Sequence, residues 1–328
     1  MIDPTITHAR MTRHIFGGVA VESTIYDLDV SETRHFITGT ELRREELLTL
    51  IGRARELKRV GGSGPRPLEG KSVAILLARP STRTRASFEV GIAQLGGTPV
   101  VLRSEELQLA RGESARDTAL VLSRYVDAIV TRPRSDETIE ELARHSDVPV
   151  VNALTPRHHP CQVLADLMTL EERFGSLEGL RLAYVGDGNN VCHSLMLLGS
   201  TVGLEVAVAS PPELGPDRAI ADAVDGLVSI GNDPRAAAAG AHAIYADVWV
   251  SMGEEAETER RRRLLEPYRL DEDLLGAARD DAVALHCLPA HPGEEITEGV
   301  LYGERSAVWD QAENGLHTQK ALLEFLLS

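Results

Sequence analysis

A few short segments of the chain carry side chains suited to chemistry. Pro80-Ser81-Thr82-Arg83-Thr84-Arg85 follows an apolar, strand-like run and opens an amphipathic helical pattern at Ala86-Ser87-Phe88-Glu89-Val90. A helix N-terminus offers unpaired backbone N–H groups and the positive end of the helix dipole. The hydroxyls of Ser81, Thr82 and Thr84 add donors and a guanidinium adds a forked cation, so the segment suits a phosphate. A Ser/Thr cap with solvated arginines is the plainer alternative. In His159-Pro160-Cys161-Gln162, the histidine and glutamine share a helix face and can address one carbonyl group, although a capping cluster would look similar. Asp247-Val248-Trp249-Val250-Ser251-Met252-Gly253 begins at the end of a strand-like run, where α/β sheets bind ligands. Asp247 there suits a substrate ammonium, or else a helix cap. His286-Cys287-Leu288-Pro289 also ends a strand and invites a thiolate nucleophile. Neighbours on a strand point to opposite faces, however, so His286 is badly placed to act as a base for Cys287.

Two further segments resemble nucleotide motifs and fail on inspection. Gly70-Lys71-Ser72 looks like the end of a phosphate-binding P-loop, but position 65 is Pro65 and the segment precedes a strand instead of following one. Gly186-Asp187-Gly188-Asn189-Asn190-Val191 has the first two glycines of a dinucleotide fingerprint, with Val191 in place of the third. Its alternative reading is a tight strand-to-helix turn.

The elements that must hold these side chains read as α/β. Strand-length apolar runs at Ser72–Leu77, Pro99–Leu102, Asp127–Thr131 and Val148–Val151 are followed by a second series. That series is Arg181–Gly186, Glu205–Ala209, Leu227–Ile230, Ala243–Asp247 and Ala282–His286. Helical patterns such as Ala86–Leu95, Ser114–Tyr125 and Glu137–His145 lie between them. This alternation predicts two doubly wound parallel sheets. His159–Phe174 reads as a helix joining the halves, Gln311–Leu327 as a C-terminal helix free to pack back on the first half, and Gly61–Gly70 as a surface loop.

A chain of 328 residues suits two domains. The formal net charge of −16 argues against a nucleic-acid binder. Cys161, Cys192 and Cys287 are far apart and form no CxxC pair, which points away from a disulfide framework or a cysteine-rich zinc site and towards a reducing cytosol. No apolar run is long enough to span a membrane, and residues 1–33 lack a secretory core and read as an N-terminal extension.

Taken in order, Ser-Thr-Arg-Thr-Arg, His-Pro-Cys-Gln, Gly-Asp-Gly-Asn-Asn, Asp-Val-Trp-Val-Ser-Met-Gly and His-Cys-Leu-Pro resemble the ornithine carbamoyltransferases from about Arg34 to the C-terminus. The Ser-Met-Gly and His-Cys-Leu-Pro segments separate this family from the aspartate carbamoyltransferases. The resemblance implies carbamoyl transfer from carbamoyl phosphate to the side-chain amine of ornithine or a close analogue, giving citrulline in arginine biosynthesis. It implies no metal or organic cofactor, no nucleic-acid or membrane partner, and a homotrimer or a multiple of trimers. Residues 34–155 would bind carbamoyl phosphate, 156–175 connect, 176–309 bind the amino acid, and 310–328 return to the first domain.

By the same resemblance, Ser81, Thr82, Arg83 and Thr84 would hold the phosphate. Arg132 would reach the phosphate and the carbonyl oxygen, and His159 and Gln162 would bind the carbamoyl group. Gln108 would reach a neighbouring subunit's site. Asn190, Asp247, Ser251 and Met252 would hold the acceptor, with Cys287 and Leu288 beside the attacking amine. Arg132, His159 and Cys287 are the expected catalytic set. One position departs from the family, where Glu-Asn-Arg near the C-terminus supplies an arginine to carbamoyl phosphate. Here the segment is Glu313-Asn314-Gly315, with Arg111, Arg134 and Arg157 as candidate substitutes. That gap keeps open a catalytically impaired paralogue, and the Gly186–Gly188 turn keeps open a nicotinamide oxidoreductase.

Overall fold

The computed structural model describes residues 9–16, 19–26, 33–103, 105–224, 226–250 and 258–328. The chain divides into two compact units, residues 1–33 and residues 34–328. The smaller is an antiparallel hairpin of β1 (Ala9–Phe16) and β2 (Val19–Tyr26), in register from Ala9 opposite Tyr26 to Phe16 opposite Val19.

The larger unit opens with α1 (Arg44–Val60), whose Leu47, Leu50, Ile51, Ala54 and Leu57 form one buried stripe. The first sheet is then built by alternation: β3 (Ser72–Leu77), α2 (Thr82–Gln94), β4 (Thr98–Arg103), α3 (Ala115–Leu122), β5 (Ala128–Arg132), α4 (Asp136–His145) and β6 (Val150–Asn152). Its strands are parallel, in the order β4-β3-β5-β6. Helix α5 (Pro160–Phe174) leads to the second half. There follow β7 (Arg181–Val185), α6 (Asn190–Val202), β8 (Glu205–Ala209), α7 (Arg218–Ala221), β9 (Val228–Gly231), α8 (Pro234–Ala238) and β10 (Ala243–Ala246). The chain ends with α9 (Thr258–Leu265), α10 (Glu272–Gly276), β11 (Val283–His286), α11 (Glu298–Leu301) and α12 (Val308–Leu327). This second sheet is also parallel, in the order β11-β10-β7-β8-β9.

The strand orders decide where a ligand can sit. In the first sheet the chain reverses its direction of travel between β3 and β5, and in the second between β7 and β10. Such reversals open a crevice beyond the carboxyl ends of the strands. The segments after Leu77, Arg132, Val185 and Ala246 are those that the sequence marks for chemistry.

One apolar core joins the halves: Val73, Ile75 and Val130 of the first sheet pack in the same cluster as Leu182 and Tyr245 of the second, through Leu164 and Leu167 of α5 and Leu322 of α12. Along α5, every residue from Pro160 to Leu170 is buried except Gln162. Helix α12 packs on α1, α2 and α5, returning the end of the chain to the first half.

Helix α2 begins at Thr82, one turn earlier than the apolar pattern indicates. Helix α3 stops at Leu122, short of the expected Tyr125, and β6 starts at Val150, two residues after the expected Val148. These are differences at element ends, where side-chain periodicity fades before the backbone pattern does.

Candidate active site

The crevice of the first sheet is lined by cations. Ser81 is the N-cap residue of α2 in extended conformation, and its hydroxyl contacts that of Thr84 at 2.8 Å instead of capping the backbone. The first-turn N–H groups therefore stay available to an anion. Thr82 and Arg83 are exposed at this end. Arg85 is engaged elsewhere, pairing with Glu89 one turn on at 3.0 Å. Arg132 ends β5 opposite Leu77, and its Nε is buried without a hydrogen-bond partner. Burial, then the guanidiniums of Arg79 and Arg83, push Arg132 below the usual guanidinium range. An arginine still keeps its proton, so Arg132 remains a cation whose charge burial and its neighbours disfavour. A phosphate dianion would relieve it.

His159 stands at the N-terminus of α5, before Pro160, and its backbone N–H donates to Ser194 Oγ of α6 at 2.8 Å. Its Nδ1 is buried and unpartnered. Burial, with Arg132 and Arg83 nearby, holds its pKa down to about 3. The imidazole is therefore neutral at physiological pH and serves as a single donor or acceptor, not as a cation. Gln162, one turn further, presents Nε2 to Asp166 Oδ1 at 2.8 Å.

The second sheet supplies an acid–thiol pair. Ala246 is in register with His286, which makes Asp247 and Cys287 neighbours just beyond the strands. Cys287 Sγ donates to Asp247 Oδ1 at 2.8 Å, and the backbone N–H of Val248 donates to the same oxygen at 2.8 Å. Asn189 Nδ2 donates to Asp247 Oδ2 at 2.6 Å. Burial and the adjacent carboxylate raise the Cys287 thiol well above its ordinary value, so it stays protonated and is no thiolate nucleophile. Leu288 follows at φ 58°, a strained angle for a residue with a Cβ. Its N–H donates to His286 Nδ1 at 2.9 Å, and His286 Nε2 meets the buried Glu295 at 3.2 Å. This buttress holds the turn that carries Cys287. Asp247, His286 and Cys287 offer ligand atoms within 4.8 Å of one another, but both nitrogens of His286 are already engaged by Leu288 and Glu295, and Asp247 by its own donors.

The turn at Gly186–Gly188 also has an internal purpose. A Cβ on Gly188 would meet the backbone of Pro216 at 2.2 Å, and the Gly188 N–H donates to Leu214 O at 2.7 Å. The glycine admits the chain's own backbone where a dinucleotide would need space for its pyrophosphate. Asn189 caps α6 by accepting from Val191 and Cys192, and Tyr184 O–H donates to its Oδ1 at 3.0 Å, which fixes the amide that steadies Asp247.

The structure thus brings together Ser81, Thr82, Arg83, Thr84, Arg132, His159 and Gln162 on one side and Asp247, Cys287 and Leu288 on the other. Asn190 is turned to the seam between the halves, where its Nδ2 donates to Thr155 O at 2.7 Å. Gln108 is exposed, in the short helical turn after β4. Ser251 and Met252 lie outside the described residues. Gly315 faces open space, with nothing within 4 Å of an added Cβ. Of the candidate substitutes for the family arginine, Arg157 pairs with Asp217 and Arg111 reaches Glu105 O, while Arg134 is exposed. Arg79 and Asn189 were missed by sequence reading. The first stands two residues beyond β3 and the second is a helix cap, positions whose roles appear only when the strands are in register.

Comparison with known proteins identifies the family. The family model described as the aspartate/ornithine carbamoyltransferase carbamoyl-P binding domain matches residues 34–172, and the corresponding Asp/Orn binding domain matches residues 178–326. An ornithine carbamoyltransferase of Acidothermus cellulolyticus is 53% identical over 302 residues, covering 90% of this chain and 96% of that protein. The chain belongs to the ornithine carbamoyltransferase family. The ornithine carbamoyltransferase of Methanoculleus marisnigri is 50% identical over 90% of this chain and 97% of its own length. The solved ornithine carbamoyltransferase of Pyrococcus furiosus superposes with a TM-score of 0.85 at 45% identity, covering 89% of this chain and 96% of that one. Within the ornithine carbamoyltransferase fold, the two crevices described above are one on each sheet.

Proposed function

We propose that the protein transfers the carbamoyl group of carbamoyl phosphate to the side-chain amine of ornithine, releasing citrulline and phosphate. The observation that carries this reading is Arg132: a guanidinium with a buried, unpartnered Nε, crowded by other cations and within electrostatic reach of Cys287. Residues 34–155 bind carbamoyl phosphate, residues 156–175 connect, residues 176–309 bind the acceptor and residues 310–328 close on the first domain. Ser81, Thr82, Arg83 and Thr84 hold the phosphate. Arg132 and neutral His159 stabilise the negative charge that develops on the carbonyl oxygen of the carbamoyl group. Asp247 and Asn190, with Ser251 and Met252, hold the amino-acid part of ornithine, and Cys287 and Leu288 line the path of its amine.

The uncharged amine attacks the carbonyl carbon, forming a C–N bond and a tetrahedral intermediate. The C–O bond to phosphate then breaks. The electron pair leaves with phosphate, which is the base at hand for the amine proton. Orientation and charge placement supply the rate.

Gln108 stands exposed just beyond the edge strand β4, and the same half exposes Val90, Val100, Val121 and Tyr125. These features support a homotrimer in which Gln108 completes a neighbour's site. Arginine biosynthesis in the cytoplasm is the setting that fits this reaction and the free cysteines; among the described residues no helix is long and apolar enough to cross a membrane. The test is an acceptor screen with carbamoyl phosphate, following phosphate release and ureido product together. Ornithine-dependent release of both is expected. Phosphate release that no amine stimulates would sink the reading.

A further inference from the structure

We propose that Asp166 is a positioning residue that fixes which way round the Gln162 amide sits, and that this makes the –NH2 of the carbamoyl group the feature the site selects. The inference rests on the assignment of Gln162 to the carbamoyl group. A glutamine amide is nearly symmetric in shape and opposite in chemistry at its two ends: one accepts, the other donates. Turned one way, Gln162 would offer a donor to a substrate donor. Turned the other way, it offers the acceptor that the –NH2 needs.

The sense is set by a chain of contacts that starts on the second sheet. The backbone N–H of His286 can only donate, and it donates to Gln311 Oε1 at 3.0 Å. That points the Gln311 –NH2 the other way, to Asp166 Oδ1 at 2.6 Å and to the Tyr245 hydroxyl at 3.0 Å. Asp166 Oδ1 also receives the Gln162 –NH2 at 2.8 Å. Gln162 Oε1 accepts nothing from the described residues and is left for a ligand. Asp166, Tyr245, His286 and Gln311 are each at most 1% exposed, so no water competes to reverse the order.

The arrangement survives a change of protonation. Burial raises the Asp166 carboxyl to about 7. Because Oδ1 already faces two N–H donors, a proton goes to Oδ2, which is buried and unpartnered. Oδ1 accepts in either state. Within the run of buried residues on α5, Gln162 alone turns outward, one helical turn before the carboxyl that orients it.

Acetyl phosphate tests this directly. It replaces –NH2 with a methyl of similar size that cannot donate. A site built around a hydrogen bond rejects an analogue that lacks it, so the parent enzyme should bind carbamoyl phosphate at least about tenfold tighter than acetyl phosphate. Asp166→Leu removes the acceptor while keeping bulk, so the Gln162 amide can turn either end to the ligand. That variant should shrink the preference to within roughly threefold while leaving inorganic phosphate affinity within about twofold. Asp166→Asn is the conservative control: the Gln311 –NH2 holds its Oδ1 in place, and that oxygen still receives the Gln162 –NH2. Its preference for carbamoyl phosphate should be retained.

Retained preference in Asp166→Leu overturns the proposal, as does an equal loss of affinity for all three ligands, which marks Asp166 as scaffold. Should Asp166→Leu not fold, Asp166→Asn decides alone, with loss of the preference as the adverse result. A parent enzyme that binds neither carbamoyl phosphate nor inorganic phosphate would defeat the functional assignment itself, a distinguishable failure.

Discussion

Arg83 is exposed at the first turn of α2 and makes no contact that folding needs. Its replacement by alanine should lower kcat/KM for carbamoyl phosphate by roughly 10- to 150-fold, the loss of a charge-assisted contact of about 1.5–3 kcal/mol, with little change in thermal unfolding. Activity within twofold of the parent would remove it from the phosphate site. Cys287 contributes a neutral donor to Asp247, and a serine hydroxyl can make the same contact. Cys287→Ser should therefore keep measurable turnover, and mass spectrometry without acceptor should find no carbamoylated Cys287. His159 leaves a mark on stability. Its pKa is about 3 folded and about 6.5 in an unfolded chain. Between those values the unfolded state binds the extra proton, so stability falls as pH is lowered from about 6.5 towards 3. His159→Gln removes that titration, and its stability should drop less between pH 7 and pH 4, by on the order of 2–3 kcal/mol in denaturant unfolding. An unchanged pH slope would count against a buried, neutral imidazole.

Helix α12 carries the departure from its family at Gly315. A glycine inside a helix costs about 1 kcal/mol relative to alanine, and the space around this one admits a larger side chain. Gly315→Arg should stabilise the helix by a few tenths to about 1 kcal/mol and lower the KM for carbamoyl phosphate with little effect on that for ornithine. If KM stays put, the missing-arginine account fails, and Arg83 and Arg132 of the β3–β5 crevice already suffice. The same helix shows how far sequence reading extends. Gln311–Leu327 is legible from its apolar stripe, and the structure adds only one turn before it. The parallel order of the strands is legible from strand–helix alternation. The start of α2 is not, because Thr82, Arg83 and Thr84 are polar and leave no apolar rhythm. Nor is the partner of Asn190: its type suits a ligand and a backbone carbonyl equally, and only the fold puts Thr155 O beside it. Asp247 and Cys287 are each conspicuous at strand ends, but the register of β10 against β11 is what makes them a pair.

At the scale of the whole molecule, β4 is an edge strand, and Val100 on it and Tyr125 in the same half are exposed, which suits the trimer proposed above. Val100→Lys with Tyr125→Lys should shift the sedimenting species to monomer and lower specific activity more than about tenfold on dilution, because subunit binding and stability are linked by mass action. A trimer that persists, fully active, would place the interface elsewhere. A further consequence follows from the route of the chain. The helix that packs on α1, α2 and α5 spans Val308–Leu327, far along the chain from all three. During synthesis α1 and α2 emerge early, but the surface they share with that helix stays uncovered until Leu322 and Leu323 have left the ribosome. The half that appears first is thus completed by residues made long after it, and through all of that interval a chaperone would find its binding surface on α1 and α2.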